Sequence, residues 1–349
     1  MLCSPLVSGA RLRSLTQLPK AHLHLHFTGA MRHSTLVELA RDRGIRLPPA
    51  LTEDWPPRLS AADERGWFRF QRLYDVARSV LRRPQDVVRL MTETAQDERA
   101  EGSRWLEIQV DPSGFAARFG GITAMIELVL EAAAAAERAT GVGIGVIVAA
   151  NRTKHPLEAR TLARLAAQYA GRGVTGFGLS NDERTGAAGD FAAAFRIAAR
   201  AGLLLTPHGG ELAGPDSVAA CLDDLHAHRI GHGIRAAEDP ALDKRLAADG
   251  ITCEVCPSSN VALGVAADPA AVPLRRLFKA GVPVALGADD PLLFGPRLAA
   301  QYEIARHAHG FSDAELADLA RASVSGSVMP EPRRSQLLAG IGAWLAGNP

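Results

Sequence analysis

Cysteine is scarce, with four residues in 349, which excludes a small secreted scaffold held by regularly spaced disulfides. An excess of either charge sign is also missing. Thirty-nine Lys and Arg face 38 Asp and Glu, a formal net charge of +1, so the chain offers no bulk field to nucleic acid or to an anionic membrane. No uncharged apolar run approaches the ~18 residues of a membrane span. The segment from Met1 to Leu15 lacks a basic stretch followed by a sustained apolar core, as a secretory leader would have. There is no tandem repeat, and the only compositional bias lies in alanine-rich helical stretches. The expectation is a soluble protein of the reducing cytoplasm that acts on small molecules, with its oligomeric state left open.

What is present is a chain with 47% hydrophobic residues, enough for a large core. Short runs of Val, Ile and Leu ending in polar residues alternate with longer Ala, Leu and Arg segments of helical spacing, the pattern of βα units around parallel strands. Eight strands are predicted: Lys20–Phe27, Trp105–Val110, Val142–Ala150, Val174–Leu179, Leu203–His208, Arg229–His232, Thr252–Val255 and Val282–Leu286. Helices are predicted over Ala124–Arg138, Pro156–Tyr169, Asp190–Ala201 and Pro240–Ala248. The fold class is therefore α/β, a (β/α)8 TIM-type barrel, with the whole chain, 1–349, as one domain. The first connection is far longer than an ordinary βα loop and is read as a helical lid insertion over about 30–102. It carries the aromatic stripe Trp67, Phe68, Phe70 and Tyr74, a pattern that by itself signals packing more often than ligand contact.

The first strand reads Lys20-Ala-His-Leu-His-Leu-His-Phe-Thr-Gly-Ala30. Residues two apart share a strand face, so His22, His24 and His26 point together. Three imidazoles on one face are hard to explain as packing and point to a metal site. Spacing leaves open which two bind; nearness to the C-terminal strand end favours His24 and His26, with His22 deeper and structural. The fifth strand ends in His208-Gly-Gly-Glu211, a metal ligand followed by a proton donor on one reading and a turn with a helix-start acid on the other. The sixth presents His232 between two glycines. After the eighth come Asp289 and Asp290, which project to different sides, so that one can bind metal while its neighbour contacts a nucleophile. Each signal is weak alone. Together they fall at the ends of strands one, five, six and eight, where barrel active sites are built.

With those residues in place, the chain resembles the adenosine deaminase family of the amidohydrolase superfamily, on His24-Leu-His-Phe-Thr-Gly-Ala30, Gly178-Leu-Ser-Asn-Asp-Glu183, His208-Gly-Gly-Glu211, Gly231-His-Gly233 and Asp289-Asp-Pro291. The resemblance implies one Zn2+ per chain, held by His24, His26, His208 and Asp289, which activates a water. It also implies that His232 and Asp290 orient that water and take its proton, while Glu211 protonates purine N1 and ammonia leaves from C6. Glu211 would have to be protonated while both aspartates stay ionised.

Thr28 stands where adenosine-specific members carry an aspartate for the ribose 5′-hydroxyl, and Asn181 stands where they carry a glycine whose N–H reaches N3. These departures, with Trp67-Phe-Arg-Phe-Gln-Arg-Leu-Tyr74 and Ala149-Ala-Asn-Arg152, resemble the branch that deaminates 6-amino-6-deoxyfutalosine in menaquinone synthesis. On that reading Arg152 pairs with the aryl carboxylate of the substrate, while Trp67 and Phe68 cover its ring. Adenosine deamination and adenine deamination are the alternatives. A cytidine-deaminase site is not supported: Cys253-Glu-Val-Cys256 precedes its proline, and residues three apart on a strand face opposite ways, so these thiols are read as barrel wall. A binding protein on a deaminase scaffold would be expected to have lost a ligand or the acid, and every such position is filled.

Overall fold

The computed structural model describes residues 12–61 and 64–347. Eight strands form one parallel sheet in sequential order: β1 Lys20–His26, β2 Ser103–Val110, β3 Gly143–Asn151, β4 Val174–Ser180, β5 Leu204–Gly209, β6 Arg229–His232, β7 Thr252–Val255 and β8 Val284–Leu286. β1 and β8 meet to close the ring. His26 N donates to Asp289 O at 3.0 Å and Asp289 N donates to His24 O at 3.1 Å, just beyond the end of the three-residue β8. The result is a TIM barrel. All eight expected strands are present, with ends that differ by one or two residues. The expected helix Pro240–Ala248 has those bounds; Ala124–Arg138 lies inside Ile122–Thr140, and the Asp190–Ala201 segment begins as a 3-10 turn before Ala192–Arg200.

The β3–β8 strands are almost entirely buried, as expected of parallel strands with helices outside and side chains filling the ring. At the bottom, helix Asp313–Ser325 packs beneath β1 and β8, and Ser323 Oγ accepts from Ala21 N at 3.0 Å. Buried charge occupies the lower barrel: Arg229 Nε and Nη2 donate to Glu254 Oε1 (2.6 Å) and Glu107 Oε2 (2.7 Å), all three side chains at 0–1% exposure.

The β1–β2 connection holds helices His33–Asp42, Glu64–Ser79 and Pro84–Ala100. Pro84–Ala100 packs against Ile122–Thr140 on the barrel wall. Along Glu64–Ser79 the buried positions Gly66, Trp67, Phe70 and Ala77 recur at helical spacing, and this face lies over the open end of the barrel. Among the described residues no helix is long and apolar enough to cross a membrane.

Candidate active site

The three histidines of β1 share one face but have different work. His22 is spent on structure: Nδ1 pairs with Glu98 Oε1 at 2.8 Å, and Nε2 accepts from Ala288 N at 2.9 Å. His24, one step up, pairs through Nδ1 with Glu254 Oε2 at 2.7 Å. That bond puts the Nδ1 proton on the carboxylate side and turns a bare Nε2 inward; Nε2 is buried without a protein partner. At the tip, His26 Nε2 lies 3.2 Å from His208 Nε2 and 3.3 Å from Asp289 Oδ1. Gly231 makes the approach of these rings possible, because a Cβ there would sit 3.0 Å from His24 Cε1 and 3.1 Å from His208 Nδ1.

The remaining groups arrive on strained backbone. Asn181, His232 and Asp289 have φ of 82°, 61° and 61°, the left-handed region that costs a non-glycine residue ~1–2 kcal/mol. Three of the four described non-glycine residues with positive φ thus border this site. Ser259 Oγ donates to Asp289 Oδ2 at 2.6 Å, and Asn260 Nδ2 lies 3.5 Å from His232 Nδ1. His232 Nε2 stands 3.6 Å from Glu211 Oε1 and 3.8 Å from Asp289 Oδ2. The loop that carries Glu211 is gathered on Glu183, whose Oε2 accepts from the backbone N–H groups of Glu211 (2.8 Å), Leu212 (2.6 Å) and Ala213 (3.0 Å).

The donor set fits a divalent cation. Ligand atoms of His24, His26 and His208 lie within 4.8 Å of one another, as do those of His24, His232 and Asp289, and of His26, Asp289 and Asp290. Burial, followed by neighbouring rings, keeps the imidazoles in the neutral form that a metal requires: His26 is pushed down to about 4 and His208 well down. His232 is pushed down to about 3 by burial and then by His24, so it stands as a neutral base. At His24 burial also favours the neutral ring, but Glu254 and Asp289 outweigh it and raise the pKa. Burial, then Asp289 and Glu183, pushes Glu211 well above the usual carboxylate range. At Asp289 burial acts upward, yet His232, His26 and His24 outweigh it and hold the carboxyl low. Asp290 is the aspartate whose expected ionisation rests on the cation. Burial, then Asp289 and Glu211, pushes it well up, so its ionisation depends on positive charge added beside Asp289.

Above this cluster lies a cavity of about 570 Å³, within the ~300–1,000 Å³ of ligand pockets. Thr28, Trp67, Phe68 and Asn181 line it. Trp67 Nε1 donates to Asn181 Oδ1 at 3.2 Å, tying the insertion to the end of β4. Phe68 stands at the rim with 63% of its surface exposed. Arg152 does not fit the pairing expected of it: its side chain is buried, lies off the cavity lining, and donates from Nη2 to the His208 carbonyl at 2.5 Å. A strand-tip position suggested a cavity residue, but the arginine turns sideways to cap the neighbouring strand's backbone. Cys253 and Cys256 are buried free thiols in the wall. Glu254, Ser259 and Gln109 were passed over in the sequence, and Glu183 was quoted only within a motif; the available signal, a charged or amide residue inside an otherwise apolar strand, covered Glu254 and Gln109.

Residues 19–344 match the family model of adenosine deaminase. The chain belongs to the adenosine deaminase family. It is similar to a provisionally named adenosine/adenine deaminase of Streptomyces virginiae, at 66% identity over 96% of this chain and 99% of that one. It is also similar to an adenine deaminase of Rhizobium leguminosarum bv. trifolii, at 40% identity over 92% and 98%. The crystal structure of an adenine deaminase from Arthrobacter aurescens superposes with a TM-score of 0.86 at 30% identity, covering 94% of this chain and 99% of that one. This member of the adenosine deaminase family, within the amidohydrolase superfamily, is a metal-dependent hydrolytic deaminase of adenine-type substrates.

Proposed function

We propose that the protein deaminates a 6-aminopurine nucleoside with Zn2+, and that the nucleoside is 6-amino-6-deoxyfutalosine, converted to futalosine and ammonia in menaquinone synthesis. Three imidazoles and a carboxylate suit zinc, as they do other divalent ions, and an amidohydrolase from Burkholderia ambifaria to which this chain is similar was solved with bound Zn. His24, His26, His208 and Asp289 would hold the ion, which when bound supplies Lewis-acid activation of a water. His232, kept neutral by burial, and Asp290, which the charge of the bound ion would hold ionised, orient the attacking water and take its proton. Glu211, kept protonated by burial and by Asp289, gives its proton to N1, so that attack at C6 places no net charge on the ring. The proton taken from water is then passed to the C6 amine, which departs as ammonia, while the hydroxyl proton on C6 returns to Glu211 as the carbonyl forms.

The observation that carries the nucleoside reading is the length of the cavity. Beyond the cluster it continues past Trp67, Phe70 and Phe115 to Arg78 and Lys154, far more room than a bare base fills. Thr28 removes the acid from that one position, while Glu64, Asp75 and Asp111 remain in the lining. With Arg152 engaged at His208, the cations that line the far end are Arg78 and Lys154, and Trp67 and Phe68 stand over the intervening span. The names of the relatives favour a second reading, deamination of adenine or adenosine. Comparing kcat/KM for aminodeoxyfutalosine, adenosine and adenine, followed by loss of 6-aminopurine absorbance, separates them. A large preference for aminodeoxyfutalosine supports the proposal; a preference for adenine or adenosine overturns its substrate and leaves the chemistry standing.

A further inference from the structure

Gln109 lies at the end of β2, beside His26 in the strand register, and lines the cavity. Its side chain is 99% buried, and neither Oε1 nor Nε2 has a protein partner. A buried carboxamide with both ends unmatched is costly unless a ligand completes it. Two other amides of the lining are engaged: Asn181 accepts from Trp67 Nε1 and from Asp182 N, and Asn151 accepts from Thr153 N and Oγ1. The complement of Gln109 is therefore a ligand edge that presents an acceptor beside a donor.

The reacting groups restrict which edge that is. Glu211, His232 and Asp290 come from the β5, β6 and β8 side, so C6 and N1 of a purine face that way. N3 lies diametrically across the six-membered ring from C6, towards β2 and β4, and the group next to N3 is the sugar on N9. In a ribonucleoside the 2′-hydroxyl stands beside N3 and supplies the donor that Oε1 requires. We infer that Gln109 is a specificity residue for ribonucleosides, with Nε2 donating to purine N3 and Oε1 accepting from the ribose 2′-hydroxyl. This moves to a side chain the N3 contact expected of the Asn181 backbone, and it rests on the nucleoside reading of the site.

The test crosses the residue with the hydroxyl. Wild type, Gln109→Met and Gln109→Glu are loaded with zinc and assayed on adenosine and 2′-deoxyadenosine, and calorimetry gives Kd for inosine and 2′-deoxyinosine. Wild type should prefer the ribose forms by about 10- to 100-fold, the cost of one unmatched buried polar group. Gln109→Met should erase that preference, because the ribose forms lose the Oε1 contact in addition to the N3 contact that both sugars lose. Gln109→Glu keeps the acceptor and loses the donor to N3, so it should keep the preference while weakening both forms, which leaves the idea testable if the methionine variant does not fold. Equal losses on both sugars in Gln109→Met, or a wild type indifferent to the 2′-hydroxyl, would overturn the inference while the deamination itself stands. A wild type that deaminates adenine and neither nucleoside would instead overturn the nucleoside reading, and this inference with it.

Discussion

Glu254→Gln removes one charge from a buried row that runs His24, Glu254, Arg229, Glu107. Glu254 Oε2 accepts from His24 Nδ1, while Oε1 accepts from Arg229 Nε and Thr206 Oγ1. An amide can satisfy only one of these sides. With its NH2 towards His24 it forces the imidazole proton onto Nε2, where a metal would bind; with its NH2 towards Arg229 it meets a donor. Although burial pushes the Glu254 carboxyl up, Arg229 and His24 hold it down at about 2. A carboxyl depressed on folding adds stability that is fully present above its ordinary pKa and is lost as pH falls through about 2, so the whole contribution is felt at pH 7. Near 1.4 kcal/mol per unit, that drop corresponds to about 3 kcal/mol, consistent with the ~3–5 kcal/mol for breaking a buried pair. Loss of the carboxylate behind a metal-binding histidine costs a further ~10- to 100-fold in metal affinity. Chelator competition for zinc and thermal unfolding at pH 7 read the two effects separately. Wild-type zinc affinity and unchanged stability in Glu254→Gln would refute the assignment of this row to setting the His24 tautomer.

Glu211→Gln should retain zinc and lose ~10²–10⁴-fold in kcat, the range of a general acid; metal analysis beside steady-state kinetics checks both. Gly29→Ala places a Cβ on Asp290 Oδ1 and 2.7 Å from Asp290 Cα, so it should displace that carboxylate and lower kcat by at least ~10²-fold, with an unchanged far-ultraviolet dichroism spectrum. Arg152→Ala should lower activity equally on adenosine and on the carboxylated nucleoside, because the guanidinium holds the His208 carbonyl. A selective loss on the carboxylated substrate would return Arg152 to the substrate side.

The eight strands were legible because each is a short apolar run ending in polar residues, and the metal-binding candidates because they sit at strand tips, where alternation fixes direction. What remained hidden depends on partners far apart in sequence. Nothing local to Glu254 says that His24, 230 positions away, supplies its hydrogen bond, and Glu183 reads as part of a motif, not as the anchor of the Glu211 loop. Arg152 shows the opposite failure. Its place after β3 was legible, but its direction follows from a bond to the His208 carbonyl of β5. The protonation order of Glu211, Asp289 and Asp290 is hidden for a related reason: pKa values at this site are set by the sum of several buried charges, which a linear sequence does not order.

The β1–β8 seam has a consequence for biosynthesis. His24 and His26 leave the ribosome early, but Asp289, whose backbone bonds to both of them, emerges more than 260 positions later. A nascent chain therefore carries a cluster of histidines without the carboxylate and without a closed ring for most of its synthesis. With the proposed ligand set, ring closure and completion of the metal site would be one event, and capture of the ion would follow docking of the eighth strand.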